Sequence, residues 1–374
     1  MTKSEKVTPR FLASIDGGNM QAKLIEEKTQ KPIVLPSYYA VYNPYLKGLL
    51  AEVKGNNIDE MAQYKVPHSK ETIVYGTKVA ELYPADALIE TISTTNRYNT
   101  PKWKTYMQVM IARLAYNLTT PKNNEIILDL KISLPTDDAQ NDDQLDKIAE
   151  FLKENTLELY LNDRKMLVTI GQIEFIEQSE GVIYYLALDK EGSLNKENEK
   201  MLNSKVAVLD IGGGTALADM FASTRVIRDG RKTTYPKGVQ VLYNDFLKGL
   251  PTLNSVFGSL GLKKANAQTI VRNGIDNNDW TFEIHQREGG SINLKEYTQT
   301  IIDNYTNELI ELLSNENSFG DIQTLSYFII NGGGANVINL DEFKKFVPFA
   351  QVSPNPETST VEGLLRYGLS QRVV

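Results

Sequence analysis

The chain of 374 residues has 47 acidic and 40 basic residues, a formal net charge of −7 and no cysteine. A net negative charge argues against general binding to nucleic-acid phosphates, which relies on a basic surface. The lack of cysteine excludes disulfides and thiolate metal sites, and no apolar run reaches the roughly 18–20 residues that cross a bilayer. Since single cores stop growing near about 250–300 residues, the length predicts two domains or two related halves. We expect a cytoplasmic protein.

The first glycine-rich turn lies near the N-terminus. An apolar run over residues 11–15 leads into Asp16, two glycines and Asn19, and a second apolar pair follows Lys23. This pattern predicts a strand, a tight turn and a return strand. Taken alone, this turn fits a plain hairpin as well as it fits a phosphate site. In a plain hairpin, Asp16 would cap the turn and Lys23 would be a solvated residue at the strand end.

A second turn follows the apolar, β-prone run from Val206 to Ile211, which carries Asp210 near its end. Three glycines, Gly212 to Gly214, and Thr215 come next. Glycine adopts positive φ without strain, so such a turn can point successive N–H groups at an anion. Two turns that each open with Asp indicate a phosphate site more strongly than one.

A third apolar run, Leu325 to Ile330, ends at Asn331 and three further glycines, followed by Ala335 and Asn336. The pattern also fits a plain strand-to-helix connection, in which the glycines allow close packing and Asn336 satisfies backbone groups.

The order and spacing of these turns resemble those of the actin-like ATPases. Residues 16–23 are similar to their first phosphate loop, residues 210–215 to the second, and residues 332–336 to the adenosine loop. Within that superfamily, the sequence looks most like the plasmid-segregation actins of the ParM type and their archaeal relatives, and residues 354–368 are similar to their last helix. One departure is Leu217, seven residues after Asp210, where the family usually has a polar group; Asp219 lies two positions on.

The resemblance implies an α/β, actin-like fold of two RNase H-like α/β domains with a nucleotide cleft between them. The expected first domain is 1–187 with a polar N-terminal arm over 1–10, the second is 188–356, and a C-terminal helix over 357–374 packs back on the first. Periodicity predicts helices near 103–117, 143–155, 239–250 and 295–314, a strand over 126–134, and two strands around 165–175.

The resemblance also implies ATP, with GTP possible, and Mg²⁺. Magnesium keeps several of its waters, so Asp16 and Asp210 are expected to hold it through water. The candidate nucleotide-binding residues are Asp16, Gly17, Gly18, Asn19, Lys23, Gly212, Gly213, Gly214, Thr215, Gly332, Gly333, Gly334 and Asn336.

Hydrolysis needs a group that orients the attacking water. The segment 175–181 is similar to the place where bacterial actins carry a glutamate between a strand and a helix, so Glu177 is the expected water-positioning residue, beside Asp210 and Asp16 as further catalytic candidates. Glu180 and Asp137 compete for this role. Alternatively, Glu177 is an exposed acid favoured by the dipole of the following helix.

The function implied is an ATP-dependent filament that segregates plasmid DNA and disassembles after hydrolysis, with itself and a DNA-binding adaptor protein as partners. Neither direct nucleic-acid binding nor membrane binding is expected. The alternatives are a small-molecule kinase, for which Asp137 is the only candidate for the catalytic aspartate, and a cell-shape or division scaffold. The basic segment from Arg225 to Lys237 is a solvated hairpin tip or a subunit or adaptor contact.

Overall fold

A computed structural model describes residues 7–18, 20–46, 57–91, 97–227, 233–253, 257, 262, 264–284 and 290–372. Asn19 and the middle of the basic segment, residues 228–232, lie outside this part. The chain divides into two compact units, Met1–Asn198 with Thr360–Val374, and Glu199–Ser359. Among the described helices, none is both long and apolar enough to cross a membrane.

The first unit is built on a mixed sheet with the strand order β3-β2-β1-β8-β10-β9-β5-β6-β4-β7. Strands β1, β8 and β10 run parallel, whereas β1, β2 and β3 form an antiparallel meander. The strands are β1 (Arg10–Gly17), β2 (Gln21–Glu26), β3 (Ile33–Pro36), β4 (Tyr38–Val41), β5 (Ala62–Lys65), β6 (Ile73–Tyr75), β7 (Leu88–Glu90), β8 (Glu125–Leu134), β9 (Leu157–Leu161) and β10 (Arg164–Glu177).

Besides the C-terminal helix described below, the described helices of this unit are α1 (Val79–Leu82), α2 (Pro101–Leu118), α3 (Thr136–Ala139), α4 (Asp142–Lys153) and α5 (Gln178–Ala187). Helix α2 begins where Thr100 accepts a hydrogen bond from the Trp103 N–H and Pro101 takes the first position, as helix starts favour. It is buried along most of its length and forms the core against β1, β2, β5, β9 and β10.

The second unit has a smaller sheet with the order β13-β12-β11-β17-β18, in which β14 also pairs with β12, and a separate β15–β16 hairpin. Its described elements are β11 (Lys205–Ile211), β12 (Ala216–Ala222), β13 (Arg225–Val226), β14 (Thr234–Tyr235), α6 (Gln240–Leu253), α7 (Lys264–Asn277), β15 (Thr281–Ile284), β16 (Gly290–Asn293), α8 (Lys295–Asn315), β17 (Tyr327–Asn331), α9 (Leu340–Phe346) and β18 (Ala350–Val352). Strands β11, β17 and β18 are parallel, and β11 and β12 are antiparallel. Each unit therefore joins an antiparallel hairpin to parallel strands.

A final helix, α10 (Ser359–Ser370), returns the chain to the first unit. Val361 and Leu365 on this helix are buried against Leu12 of β1 and Ile25 of β2. Gly363 makes the approach possible, because a Cβ there would lie 2.6 Å from the backbone N of Tyr185 in α5. The apolar face of α10 thus completes the core on one side of the first sheet.

Two expected boundaries and one pair of strands differ from the structure. The first unit continues past residue 187 to Asn198 because the segment 188–198 folds back, and the Asn195 N–H donates to the Ala187 carbonyl at 2.8 Å. Strand β1 already begins at Arg10, whose guanidinium is fixed on the Asp129 carboxylate by two hydrogen bonds of 2.8 Å, so Arg10 is not part of the arm predicted over 1–10. The two strands expected around 165–175 form one strand, β10, whose register shifts at a bulge next to Gly171.

Candidate functional site

The first predicted turn is the β1–β2 hairpin, and its register places Asp16 directly opposite Lys23. Asp16 is only 4% exposed, and its Oδ2 lies 3.1 Å from Lys23 Nζ. Spacing along the hairpin explains the pair, because residues that face each other across two strands project on the same side of the sheet. Lys23 and Asp16, both predicted to bind nucleotide, are therefore paired with each other in the structure.

Two further donors reach Asp16, one from the neighbouring parallel strand β8 and one from the start of helix α5. Ser133 occupies the paired position on β8 and donates to Oδ1 at 2.9 Å, and Gln178, the first residue of α5, donates to the same oxygen at 2.7 Å. Burial raises the pKa of Asp16, but the charge of Lys23 and these hydrogen bonds outweigh it and lower the pKa below its ordinary value. Asp16 is accordingly a fixed carboxylate.

The Gly17 and Gly18 carbonyls of this turn also accept side-chain hydrogen bonds. Arg97 donates through Nη2 to the Gly17 carbonyl, and Ser37 donates through Oγ to the Gly18 carbonyl at 2.6 Å. A Cβ on Gly18 would lie 2.8 Å from the Gln21 carbonyl, so this position requires glycine. Sequence analysis missed Arg97 and Ser37, since neither lies in a motif and both reach the turn only through the fold.

The second predicted turn joins β11 to β12 and is hydrogen-bonded to the residues at the start of α6. The carbonyls of Gly212, Gly213 and Gly214 accept hydrogen bonds from the N–H groups of Val239, Gln240 and Gly238, at 3.0, 3.0 and 3.2 Å. The Gly212 N–H closes the turn on the Thr215 carbonyl at 2.9 Å. Within the described residues, the N–H groups of Gly213 and Gly214 have no hydrogen-bond acceptor. N–H groups left without an acceptor in a glycine turn, while the carbonyls are hydrogen-bonded, suit an anion.

Gly238 makes this arrangement possible and was not singled out from the sequence. A Cβ on Gly238 would lie 2.5 Å from the Gly213 carbonyl oxygen, the Gly214 carbonyl carbon and the Thr215 nitrogen. These are backbone atoms that cannot swing aside as a flexible side chain could. The turn sits directly on the bare backbone of Gly238.

The third turn packs against the end of β11. Gly332 has a φ of +85°, which favours glycine, and a Cβ there would lie 2.5 Å from the Ile211 carbonyl oxygen. The Gly334 N–H donates to the same carbonyl at 2.9 Å. The second and third turns are therefore brought together. Gly333 faces open space, and Asn336 is exposed on the short 3₁₀ helix Ala335–Val337.

Asp210 lies where these two turns meet. Its Oδ2 accepts a hydrogen bond of 2.8 Å from Asn331 Nδ2, and the Asn331 side chain is buried, with its Oδ1 accepting from Ser359 Oγ at 2.5 Å. The parallel register pairs Asp210 with Asn331. The antiparallel register pairs it with Leu217, so the position that corresponds to Lys23 in the first unit is apolar in the second.

Glu177 ends β10 and immediately precedes α5. It is adjacent to Gln178, which bonds Asp16, and its Oε1 accepts a hydrogen bond of 3.2 Å from Gln140 Nε2. Glu180 lies one turn further on, and burial raises its pKa to about 8. Asp137 is exposed on α3. Of the three acids considered for positioning water, Glu177 is the one next to the Asp16 cluster.

No group of three or more His, Asp or Glu side chains placed to bind a metal occurs in the described part of the chain. Magnesium sites at phosphates need only one or two carboxylates, since the phosphates and water supply the remaining oxygen ligands. Asp210 fits such a role. Asp16 fits it less well, because three donors already occupy its two oxygens.

No protein-family model and no curated protein matches the sequence. Solved structures do match over nearly the whole chain. They include Bacillus thuringiensis ParM with ATP (15% identity, 98% of this chain and 100% of that chain, TM-score 0.71), the archaeal actin homologue Ta0583 (14%, 97% and 99%, 0.70), and a 15-stranded ParM filament from Clostridium botulinum (17%, 96% and 99%, 0.70). The actin-like fold predicted from the three turns is confirmed, and so is its structural similarity to ParM.

Proposed function

We propose that this actin-like chain binds a nucleoside triphosphate at its glycine-rich turns and hydrolyses it. The observation that carries the proposal is the turn from Gly212 to Gly214, whose carbonyls accept hydrogen bonds from residues 238–240 while the N–H groups of Gly213 and Gly214 have no acceptor among the described residues. Backbone N–H groups aimed outward from a glycine turn bind phosphate oxygens without strict side-chain geometry. The ATP in the structure of Bacillus thuringiensis ParM supports ATP as the nucleotide, with GTP as the competitor.

We assign a nucleotide contact to each of the other two turns as well. In the first, the backbone of Gly17 and Gly18 would face phosphate, and Lys23 would exchange part of its contact with Asp16 for a phosphate oxygen; Asn19, also expected to bind the nucleotide, lies outside the described residues. In the third, Gly332, Gly333 and Gly334 with Asn336 would line the nucleoside. Open space beside Gly333 supports this role, since a ligand can approach its bare backbone.

Magnesium would be held by Asp210 and more weakly by Asp16, in both cases through water. When bound, the ion offsets the negative charge of the phosphates. The chain's own contribution is to keep the Asp210 carboxylate in one orientation, which Asn331 does from a buried position.

For hydrolysis, we assign Glu177 the task of orienting the attacking water. Its carboxylate stands at the junction of β10 and α5, next to the residue that bonds Asp16. A fixed acceptor at this place can align a water molecule, and alignment is the main requirement of phosphoryl transfer to water.

Nucleotide affinity and phosphate release, measured on the same samples with ATP and GTP, test this assignment. Glu177→Gln should bind ATP as the original chain does and release phosphate at least about tenfold more slowly. Glu311→Gln, the same change at an exposed position of α8 and in none of the glycine turns, is the matched control and should be unchanged in both. Equal rates for Glu177→Gln and the original chain would remove Glu177 from the mechanism, and phosphate transfer to a small-molecule acceptor in place of water would favour the kinase.

We further propose that nucleotide binding drives assembly into cytoplasmic filaments that segregate plasmid DNA through a DNA-binding adaptor protein. The filament from Clostridium botulinum, built from a ParM of the same fold, supports self-assembly. The net charge of −7 supports an adaptor rather than direct binding to DNA. A plasmid-loss assay tests the role: a low-copy plasmid that carries this gene with its flanking DNA should be retained, and Asp210→Ala should abolish retention. If the plasmid is lost at the same rate with the original gene and with the Asp210→Ala gene, a role in segregation is contradicted.

A further inference from the structure

A buried serine between β3 and β4 holds the first glycine turn at two points. Ser37 is only 2% exposed and lies between β3, which ends at Pro36, and β4, which begins at Tyr38. Its backbone N–H donates to the Met20 carbonyl at 3.0 Å, and its Oγ donates to the Gly18 carbonyl at 2.6 Å. These two carbonyls flank position 19, in the loop between β1 and β2.

We propose that Ser37 is a positioning residue for the first phosphate turn, whose hydroxyl keeps the Gly18 carbonyl directed into the protein and away from the bound phosphates. This inference rests on the proposed function, in which the backbone of Gly17 and Gly18 faces phosphate. Ser37 itself would not touch the nucleotide, because its side chain is buried and already hydrogen-bonded.

The polarity of the peptide group explains why this carbonyl matters. The carbonyl oxygen is the negative end of the peptide dipole and points away from the N–H at the positive end. A turn binds an anion when its N–H groups face the ligand, so its carbonyls need donors elsewhere. Without Ser37 Oγ, the Gly18 carbonyl could rotate toward the phosphates, since glycine has few conformational limits, and would repel them.

The direction of the hydrogen bonds at the Ser37 hydroxyl is fixed. A carbonyl carries no proton, so Ser37 Oγ must be the donor to Gly18. Its lone pairs then accept from Tyr106 of α2, whose hydroxyl lies 3.2 Å from Oγ. Burial raises the pKa of Tyr106, so this hydroxyl keeps its proton near neutral pH. The serine proton therefore points at the turn.

The backbone of Ser37 is fixed as well. Its carbonyl accepts hydrogen bonds from the Thr91 N–H at 3.1 Å and from the Thr91 hydroxyl at 2.8 Å. The preceding carbonyl, that of Pro36, accepts from the Tyr75 hydroxyl at 2.9 Å. Both Thr91 and Tyr75 are fully buried. Ser37 thus belongs to a well-ordered part of the first unit and can determine the conformation of a glycine turn.

The second turn has its carbonyls hydrogen-bonded in a different way. The carbonyls of Gly212 to Gly214 accept from the backbone N–H groups of residues 238–240. In the first turn, the donors are the side chains of Ser37 and Arg97. A side-chain donor can be removed by substitution without changing the backbone, so the first turn allows a direct test.

The test is equilibrium binding of ATP to the original chain, Ser37→Ala, Ser37→Cys and Thr91→Val, at a temperature below every Tm, with Tm measured on the same samples. Ser37→Ala removes the donor, so its Kd for ATP should rise about tenfold. A thiol is a weak donor, so the Kd of Ser37→Cys should lie between those of Ser37→Ala and the original chain. Thr91→Val is the matched control. It removes a buried hydroxyl from the other side of Ser37, so its Tm should fall while its Kd stays unchanged.

An unchanged Kd in both Ser37 variants would overturn the inference and leave the nucleotide site at the other turns. A Kd that rises in Thr91→Val as much as in Ser37→Ala would also overturn it, because any buried change in this region would then weaken binding. If Ser37→Ala does not fold, the comparison of Ser37→Cys with Thr91→Val decides the same question. The proposed function fails separately, if the original chain binds neither ATP nor GTP, and the inference then fails with it.

Discussion

Asn331 donates a hydrogen bond of 2.8 Å to Asp210 from the adjoining parallel strand, at the position that the register pairs with it. Ser133 has the same relationship to Asp16 in the first unit, at 2.9 Å. In both units, a polar residue at the end of the next parallel strand thus fixes the aspartate that opens a glycine turn. The carboxyl ends of parallel strands are where α/β sheets generally place ligands.

The Asn331 side chain should matter for both stability and turnover. Asn331→Leu keeps a similar volume but leaves Asp210 without this donor and Ser359 without its acceptor, at a cost of about 1–3 kcal/mol in the free energy of unfolding. Urea unfolding and phosphate release measure the two effects. Ser359→Ala is the matched control, since it removes only the outer bond, and its effect should be smaller. A larger loss of turnover in Ser359→Ala would show that Asn331 does not act on Asp210.

Gly238 should be indispensable for the second turn. In Gly238→Ala, the new Cβ would press on three backbone atoms at 2.5 Å and displace the turn, so nucleotide affinity should fall by at least about tenfold. Equilibrium binding of a fluorescent ATP analogue measures it. Gly290→Ala, where a Cβ meets nothing within 4 Å, should bind as the original chain does. Unchanged affinity in Gly238→Ala would mean that this turn does not bind the nucleotide.

Gly333 allows a test in which the fold stays intact. A Cβ at this position has no neighbour within 4 Å, so Gly333→Ala should change the free energy of unfolding by less than about 0.5 kcal/mol. If the third turn lines the nucleoside, the methyl group occupies space that the ligand needs, and affinity should fall by roughly tenfold. Unfolding and nucleotide binding should be measured side by side. Full affinity with unchanged stability would place the nucleoside elsewhere.

Asp16 should make the first unit sensitive to acid. Its pKa is lowered in the folded chain, so its contribution to stability is fully present above the ordinary aspartate value of about 3.9 and is lost as the pH falls through the lowered pKa. Near neutral pH, Asp16→Asn should reduce Tm by several degrees, because 1 kcal/mol shifts Tm by roughly 2–4 °C in domains of this size. The difference in Tm should shrink on acidification. A difference that is constant down to about pH 3 would contradict a lowered pKa.

Local sequence patterns were sufficient to predict the main features of the fold. The alternation of apolar runs and glycine turns identified β1, β11 and β17, because strands and tight turns leave a signal within a few residues. Asp16 and Lys23 face each other because of the hairpin register alone. The same reasoning failed for β10, where Gly171 interrupts the pattern as a strand boundary would but forms a bulge within one strand.

The residues that sequence analysis missed act over long separations. Ser133 lies 117 positions from Asp16, and Gln178 lies 162 positions from it. Gly238 is a single glycine whose role appears only when α6 is packed under the second turn. Such contacts depend on which strands become neighbours, and one sequence does not contain that information in any local window.

Right-angle light scattering of the purified protein after addition of Mg-ATP, with electron microscopy of the same samples, tests the central claim most directly. We expect scattering to rise with the triphosphate, to decay as phosphate is released, and to remain flat with Mg-ADP and in Asp210→Ala, with filaments visible only in the samples that scatter. A flat trace with Mg-ATP and Mg-GTP, at protein concentrations where the nucleotide is bound, would contradict a nucleotide-driven filament.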